Sequence, residues 1–236
     1  MTAQEILAEL KPLGRESYKR LLMDNHGIKE PFFGVPVSEL KKFQKRIKKD
    51  YQLALDLYAT GNSDAMYLAG LIADDARMTR KDLQAWADGA YARVLAGSTV
   101  AWVTAGSPHA REMALKWIDS EKGLVAATGW ATLGSLVAIK EDAELDLAEL
   151  KRLVLRAQQT IHKAPDVARS QMNGFLIAVG SYVPALTEFA LQIGEKIGPV
   201  TANLGDNDCQ IPFAPDSIRK VQKRGAIGKK RKSAKC

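Results

Sequence analysis

The residues that stand out for chemistry are cations. Six of the nine residues from Lys41 to Lys49 are basic: Lys41, Lys42, Lys45, Arg46, Lys48 and Lys49. Leu40, Phe43 and Ile47 interleave with them at helical spacing, so one face would dock on a core and the other would turn positive charge to solvent. Such a face suits the phosphates of a nucleic-acid backbone; a lysine-rich solvated surface is the plainer account. A second run, Lys229, Lys230, Arg231 and Lys232, sits in a stretch from Arg219 to Cys236 that holds nine Lys or Arg and no acid. Without those nine, 25 cations face 27 acids, so residues 1–218 carry −2 while the whole chain carries +7. The excess charge belongs to this tail. A block of that kind is expected to be mobile and to contact a polyanion, nucleic acid first, with a solvated tail as the alternative.

Aromatic residues are the second candidate. Trp86, Trp102, Trp117 and Trp130 fall within one short span, where they would fill helix–helix interfaces or face a base or a cation. No nucleophile-elbow, phosphate-loop or zinc-protease motif is present, and the three histidines, His26, His109 and His162, lie far apart. Cys209 and Cys236 fit neither a disulfide framework nor a zinc site. No metal and no cofactor is expected.

The elements that must position these residues read as helices throughout. Apolar residues recur at helical spacing over 2–12, 15–24, 38–47, 51–60, 64–74, about 80–95, 98–105, 108–119, 123–139, 145–163, 166–180 and 183–197. The segment 145–163 is the clearest, with Leu147, Leu150, Val154, Ala157 and Ile161 on one stripe, acids early and bases later. Single Gly or Pro residues and short polar turns separate the segments, so neighbours should be antiparallel. The expected architecture is all-α: stacked antiparallel helix pairs, HEAT-like repeats, forming a curved solenoid, although the sequence has no exact period. That domain would span residues 1–198, with an irregular basic tail over 199–236 and at most a short helix at Ser217–Lys223. No apolar run has membrane-spanning length, and Met1–Ile6 does not read as a signal peptide. A cytoplasmic monomer that contacts no membrane is the expectation.

The stretch from Gly27 to Lys49, in which a glycine, an aliphatic residue and a proline precede a basic helix, resembles the bacterial DNA alkylation repair proteins (AlkD-like, the HEAT-like repeat DNA glycosylases). Lys116-Trp117-Ile118 is similar to the family's lysine-tryptophan-isoleucine helix end, and Ser170–Leu176 to its late helix with a glycine-aromatic pair. The resemblance covers roughly residues 5–197. It implies helical repeats whose basic concave face holds duplex DNA, and hydrolysis of the glycosidic bond of N3- or N7-alkylated purines. A carboxylate would stabilise the cationic sugar and aromatic faces the cationic base.

Carried over residue by residue, the site is incomplete. The family's catalytic Asp lies in an aromatic-rich segment; the corresponding Ser98–Thr104 has one tryptophan, Trp102, and no carboxylate, with Thr104 near the Asp position. The family's DNA-contacting Arg has no counterpart in Ala126–Trp130, and Ala178-Val179 replaces a charged pair. Phe175 stands where a second site aromatic would be. A hydroxyl cannot stabilise a developing cation as a carboxylate does. Three readings follow: a divergent member that binds duplex, damaged or branched DNA without excision, an enzyme whose carboxylate comes from elsewhere, or a protein-binding scaffold. Trp102, Trp130 and Phe175 are the base-facing candidates, and the ten cations of the two basic runs the DNA-binding ones.

Overall fold

The computed structural model describes residues 1–203 and 210–235. Residues 204–209 of the segment expected to be irregular, Cys209 among them, and Cys236 lie outside the described residues. Thirteen helices form among the described residues, and no strand. They are α1 (Ala3–Leu10), α2 (Glu16–His26), α3 (Val37–Ile47), α4 (Tyr51–Ala59) and α5 (Ser63–Ile72). Next come α6 (Arg80–Gly89), α7 (Ala101–Gly106), α8 (Ala110–Trp117), α9 (Gly123–Ile139), α10 (Leu147–Thr160), α11 (Asp166–Tyr182), α12 (Thr187–Ile197) and α13 (Ala214–Lys223). Their starts follow from side-chain caps: Thr2, Asp50, Asn62, Thr79 and Asp146 each accept from a backbone N–H of the first turn. The helix expected over 80–95 stops at Gly89, and a π-helical stretch, Leu95–Val100, leads into α7 instead. None of these helices is long and apolar enough by itself to cross a membrane.

From α4 onward the helices pair as α4/α5, α8/α9, α10/α11 and α12/α13, while α6 packs on the π-helical stretch Leu95–Val100 that leads into α7; α5, that stretch with α7, α9 and α11 follow one another as an inner row. Composition explains the division. α9 is apolar on all sides and buries 11 of its 17 residues, whereas α10 in the outer row buries one stripe, Leu150, Leu153, Val154 and Ala157. Gly129 lets α9 cross α8 closely: a Cβ there would stand 2.7 Å from the Ile118 backbone N. Polar bonds between successive outer helices join Tyr51 to Asp82, Arg80 to Glu112, Trp117 to Gln84 and Arg111 to Glu149, at separations of 31, 32, 33 and 38 residues. The repeat absent from the residue pattern is thus present as a spacing of interactions, the mark of a nearest-neighbour stack.

Two apolar clusters fill the stack, one running from Ile6 to Val125 and the other from Ala114 to Ile218. The described residues 214–235 depart from the irregular tail expected of them. α13 packs on α11 and α12 and buries Ile218, whose Cδ1 would lie 2.4 Å from a Cβ at Gly180. Beyond it, residues 226–235 run as an extended strap along the C-terminal ends of the inner row. Gly228 N–H donates to the Ser181 carbonyl at 2.9 Å and Arg231 N–H to the Ala138 carbonyl at 2.8 Å. Helix ends leave carbonyls without intrahelical partners and carry partial negative charge, so a basic segment is well matched to this edge.

Candidate nucleic-acid interface

α3 holds its cations where its apolar stripe puts them. Leu40 and Phe43 are buried, Ile47 is half-buried, and Lys42, Lys45, Arg46, Lys48 and Lys49 are exposed, with Lys41 intermediate. Its entry is fixed from a distance. Asp64, buried at the start of α5, accepts from the backbone N–H groups of Phe33 (2.7 Å), Gly34 (3.0 Å) and Val35 (3.0 Å). Burial pushes its carboxyl up, against the opposing pull of those three donors. Half of the α3 cations are locally neutralised: Lys42 by Glu39 at 2.8 Å, Arg46 by Glu9 at 2.8 Å and Lys49 by Asp74 at 3.7 Å. Among the described residues Lys41, Lys45 and Lys48 have no acidic partner. Lys48 stands at φ 65°, in left-handed backbone that turns the chain out of α3.

The second basic run divides by direction. Lys229, Arg231 and Lys232 are exposed, whereas the Lys230 side chain is only 10% accessible. Its ammonium donates to the carbonyls of Val137 (3.1 Å) and Tyr182 (2.8 Å), ending α9 and α11, and pairs with Asp142 at 2.8 Å. Lys235, which sequence reasoning left unmarked, does the same at the end of α5, donating to the Ala73 carbonyl at 2.9 Å and pairing with Asp75 at 2.7 Å. Lys230 was expected to contact DNA and is instead spent inside the protein. The two runs also meet: adjacent carboxylates, Asp74 and Asp75, take Lys49 from α3 and Lys235 from the strap. No local motif marks either acid; the signal is only that they follow a helix end on the inner row.

The base-facing aromatics are placed differently from expectation. Trp130 and Phe175 pack on each other, centroids 5.4 Å apart, inside the second cluster with 2% and 1% exposure. They are core residues, because α9 and α11 press against each other along their whole length. Trp86 stacks on Tyr58 at 4.1 Å, and Trp117 donates its Nε1–H to Gln84. Trp102 lies at the edge of the core, edge-on to Tyr67 at 5.8 Å, and the strap closes over it: Ala234 packs into a small cluster with Trp102 and Ala105. Thr104 is fully buried and donates its hydroxyl to the Val100 carbonyl, so it presents nothing at a surface. One turn past Trp102, Gly106 touches Asp75 so closely that a Cβ would stand 2.4 Å from Asp75 Oδ2. A carboxylate does therefore sit beside the tryptophan-bearing helix, contributed by the preceding repeat. Burial pushes the Asp75 carboxyl up and the Lys235 ammonium down, each partly opposed by the other's charge. Among the described residues no group of His, Cys, Asp and Glu is arranged to hold a metal ion.

An all-helical stack of repeats with a basic edge defines a HEAT-like scaffold, and the comparisons place it more closely. The sequence model of the family described as DNA alkylation repair enzyme matches residues 6–200, and the chain belongs to that family. It is 29% identical to the protein called uncharacterized protein Lin0241 of Listeria innocua serovar 6a over 230 residues, 95% of this chain and 99% of the relative. It is 28% identical to uncharacterized protein Lmo0209 of Listeria monocytogenes serovar 1/2a over the same shares. A solved structure, described as a new family of proteins related to the HEAT-like repeat DNA glycosylases with affinity for branched DNA structures, superimposes over 100% of both chains. Its TM-score is 0.93 and its identity 36%.

Proposed function

We propose that the protein is a DNA-binding HEAT-like repeat protein that recognises duplex or branched DNA, acting as a monomer and without excising bases. The observation that carries this is the full-length likeness, at 36% identity, to a structure described as having affinity for branched DNA. The site agrees in chemistry. Among the described residues Lys41 and Lys45 on α3, and Lys48 just past its end, are cations without an acidic partner, and Lys229, Arg231 and Lys232 continue the basic surface along the strap, joined to it through the Asp74–Asp75 pair. Contacts of this kind read phosphates and not base edges, which suits recognition of the course of a backbone. The test is fluorescence anisotropy with a four-way junction and a matched duplex at low salt. Binding that weakens steeply with salt supports the reading; no binding of either DNA sinks it.

Excision of alkylated purines is the second reading, and Asp75, packed against Gly106 on the helix that carries Trp102, favours it. In this arrangement the carboxylate is engaged by Lys235 and the tryptophan is covered by Ala234, so neither faces a substrate. Incubation of a 7-methylguanine duplex with protein in excess decides between them: release at background level leaves the binding reading standing, and release abolished in Asp75→Asn establishes the enzyme.

A further inference from the structure

The strap is unusual in what it uses its cations for. Of the five cations from Lys229 to Lys235, two point inward, and each lies in a receptor made of helix-end carbonyl and carboxylate. Three point outward. Apolar anchorage is slight, since Ala234 is the one buried residue of that stretch. The Lys235 end is also the end that covers Trp102 and engages Asp75. Its ion pair is nearly dry on both sides, and a buried pair gains little once the lost hydration of both ions is counted. The shifts of both groups toward their neutral forms agree.

We propose that the strap is a latch: docked, it plugs the surface formed by Tyr67, Trp102, Asp75 and the Ala73 carbonyl with its own Lys235, and a polyanion draws it off. This rests on the reading of the protein as a DNA binder. A ligand shifts such an equilibrium only by its preference for one state. Here the preference is explicit. The docked strap offers a polyanion three cations, and the released strap offers five, so release adds two phosphate contacts while opening two receptors. What release uncovers is an aromatic pair beside a free carboxylate and a free carbonyl, a place for a cationic group. DNA would thus arrive first at the outer face of the strap and, by holding it, open the surface beneath.

Two measurements on the full-length protein test this. The first is hydrogen exchange of the strap, where the Gly228 and Arg231 amides are bonded to α11 and α9. Saturating four-way junction, or heparin as a second polyanion, should speed exchange of residues 226–235 by roughly tenfold or more while α5 and α9 stay protected. The second is the salt dependence of DNA binding. Lys235→Gln should lower the log–log slope by about one, because the released lysine would neutralise a phosphate. Unchanged or slowed strap exchange with both polyanions overturns the latch, as does an unchanged slope in Lys235→Gln. Release by heparin with no DNA binding would keep the latch and remove the DNA reading. Should Lys235→Gln fold poorly, Lys235→Arg keeps the charge and must preserve the slope.

Discussion

At φ 65° the backbone of Lys48 occupies a region where glycine is at ease and lysine is not. The strain is tolerated at a position whose side chain is exposed and has no acidic partner among the described residues, the pattern expected where charge matters more than stability. Lys48→Gly should therefore stabilise the fold by about 1 kcal/mol in urea unfolding while weakening DNA binding at low salt. A substitution that lowers both would place Lys48 in the structural class. Asp64 is the opposite kind of residue. Its removal in Asp64→Ala strips three backbone donors of their acceptor, two of them buried, and should cost about 3 kcal/mol. Exchange of the Phe33, Gly34 and Val35 amides should accelerate more than that of the α9 core. The basic α3 was legible in the residues because its apolar stripe and its charges share one helical period. Asp64 read instead as the start of a helix, because its true partners lie 29 to 31 residues earlier, beyond any local pattern.

Helices were the most legible level, and for a plain reason: each outer helix declares its buried stripe, and the caps mark where it starts. What faces what was not legible. α9 is apolar all round, so no periodicity could say that Trp130 turns into the core toward Phe175 and not toward a ligand. Contact between elements sets two expectations. Gly129→Ala would drive a Cβ into the backbone of α8 and should destabilise by about 1–3 kcal/mol, read as a lowered Tm. Carboxylates on the outer helices are held below the usual range by cations of a neighbouring repeat, Glu112 by Arg80 between α6 and α8 and Asp88 by Lys122 at the start of α9. A carboxylate depressed in the folded state adds stability above its unfolded pKa and loses it as pH falls through the folded value. Thermal melts should hold steady from neutral pH down to about pH 5 and fall below about pH 4, with a shallower fall in Glu112→Gln. A melt equally steep in that variant would remove the Arg80 clamp from the account.

Over the whole molecule, the net charge of +7 concealed a division of labour inside the basic segment. The strap holds both halves of the stack: Lys230 seats on α9 and α11, over the second apolar cluster, and Lys235 on the end of α5, over the first. Stacked repeats otherwise interact only with their neighbours, so a tie between distant repeats should couple their unfolding. Lys230→Ala with Lys235→Ala should broaden urea unfolding and lower its m-value; a single sharp transition of unchanged slope would show that the strap ties nothing. The tie also has a direction in time. The Ala73 carbonyl receives its ammonium from a residue 162 positions later, so during synthesis the first five helices can assemble while that edge stays open. A ribosome-bound chain would expose Trp102 and Asp75 that the finished protein covers, and its affinity for polyanions would change at the moment Lys235 clears the exit tunnel.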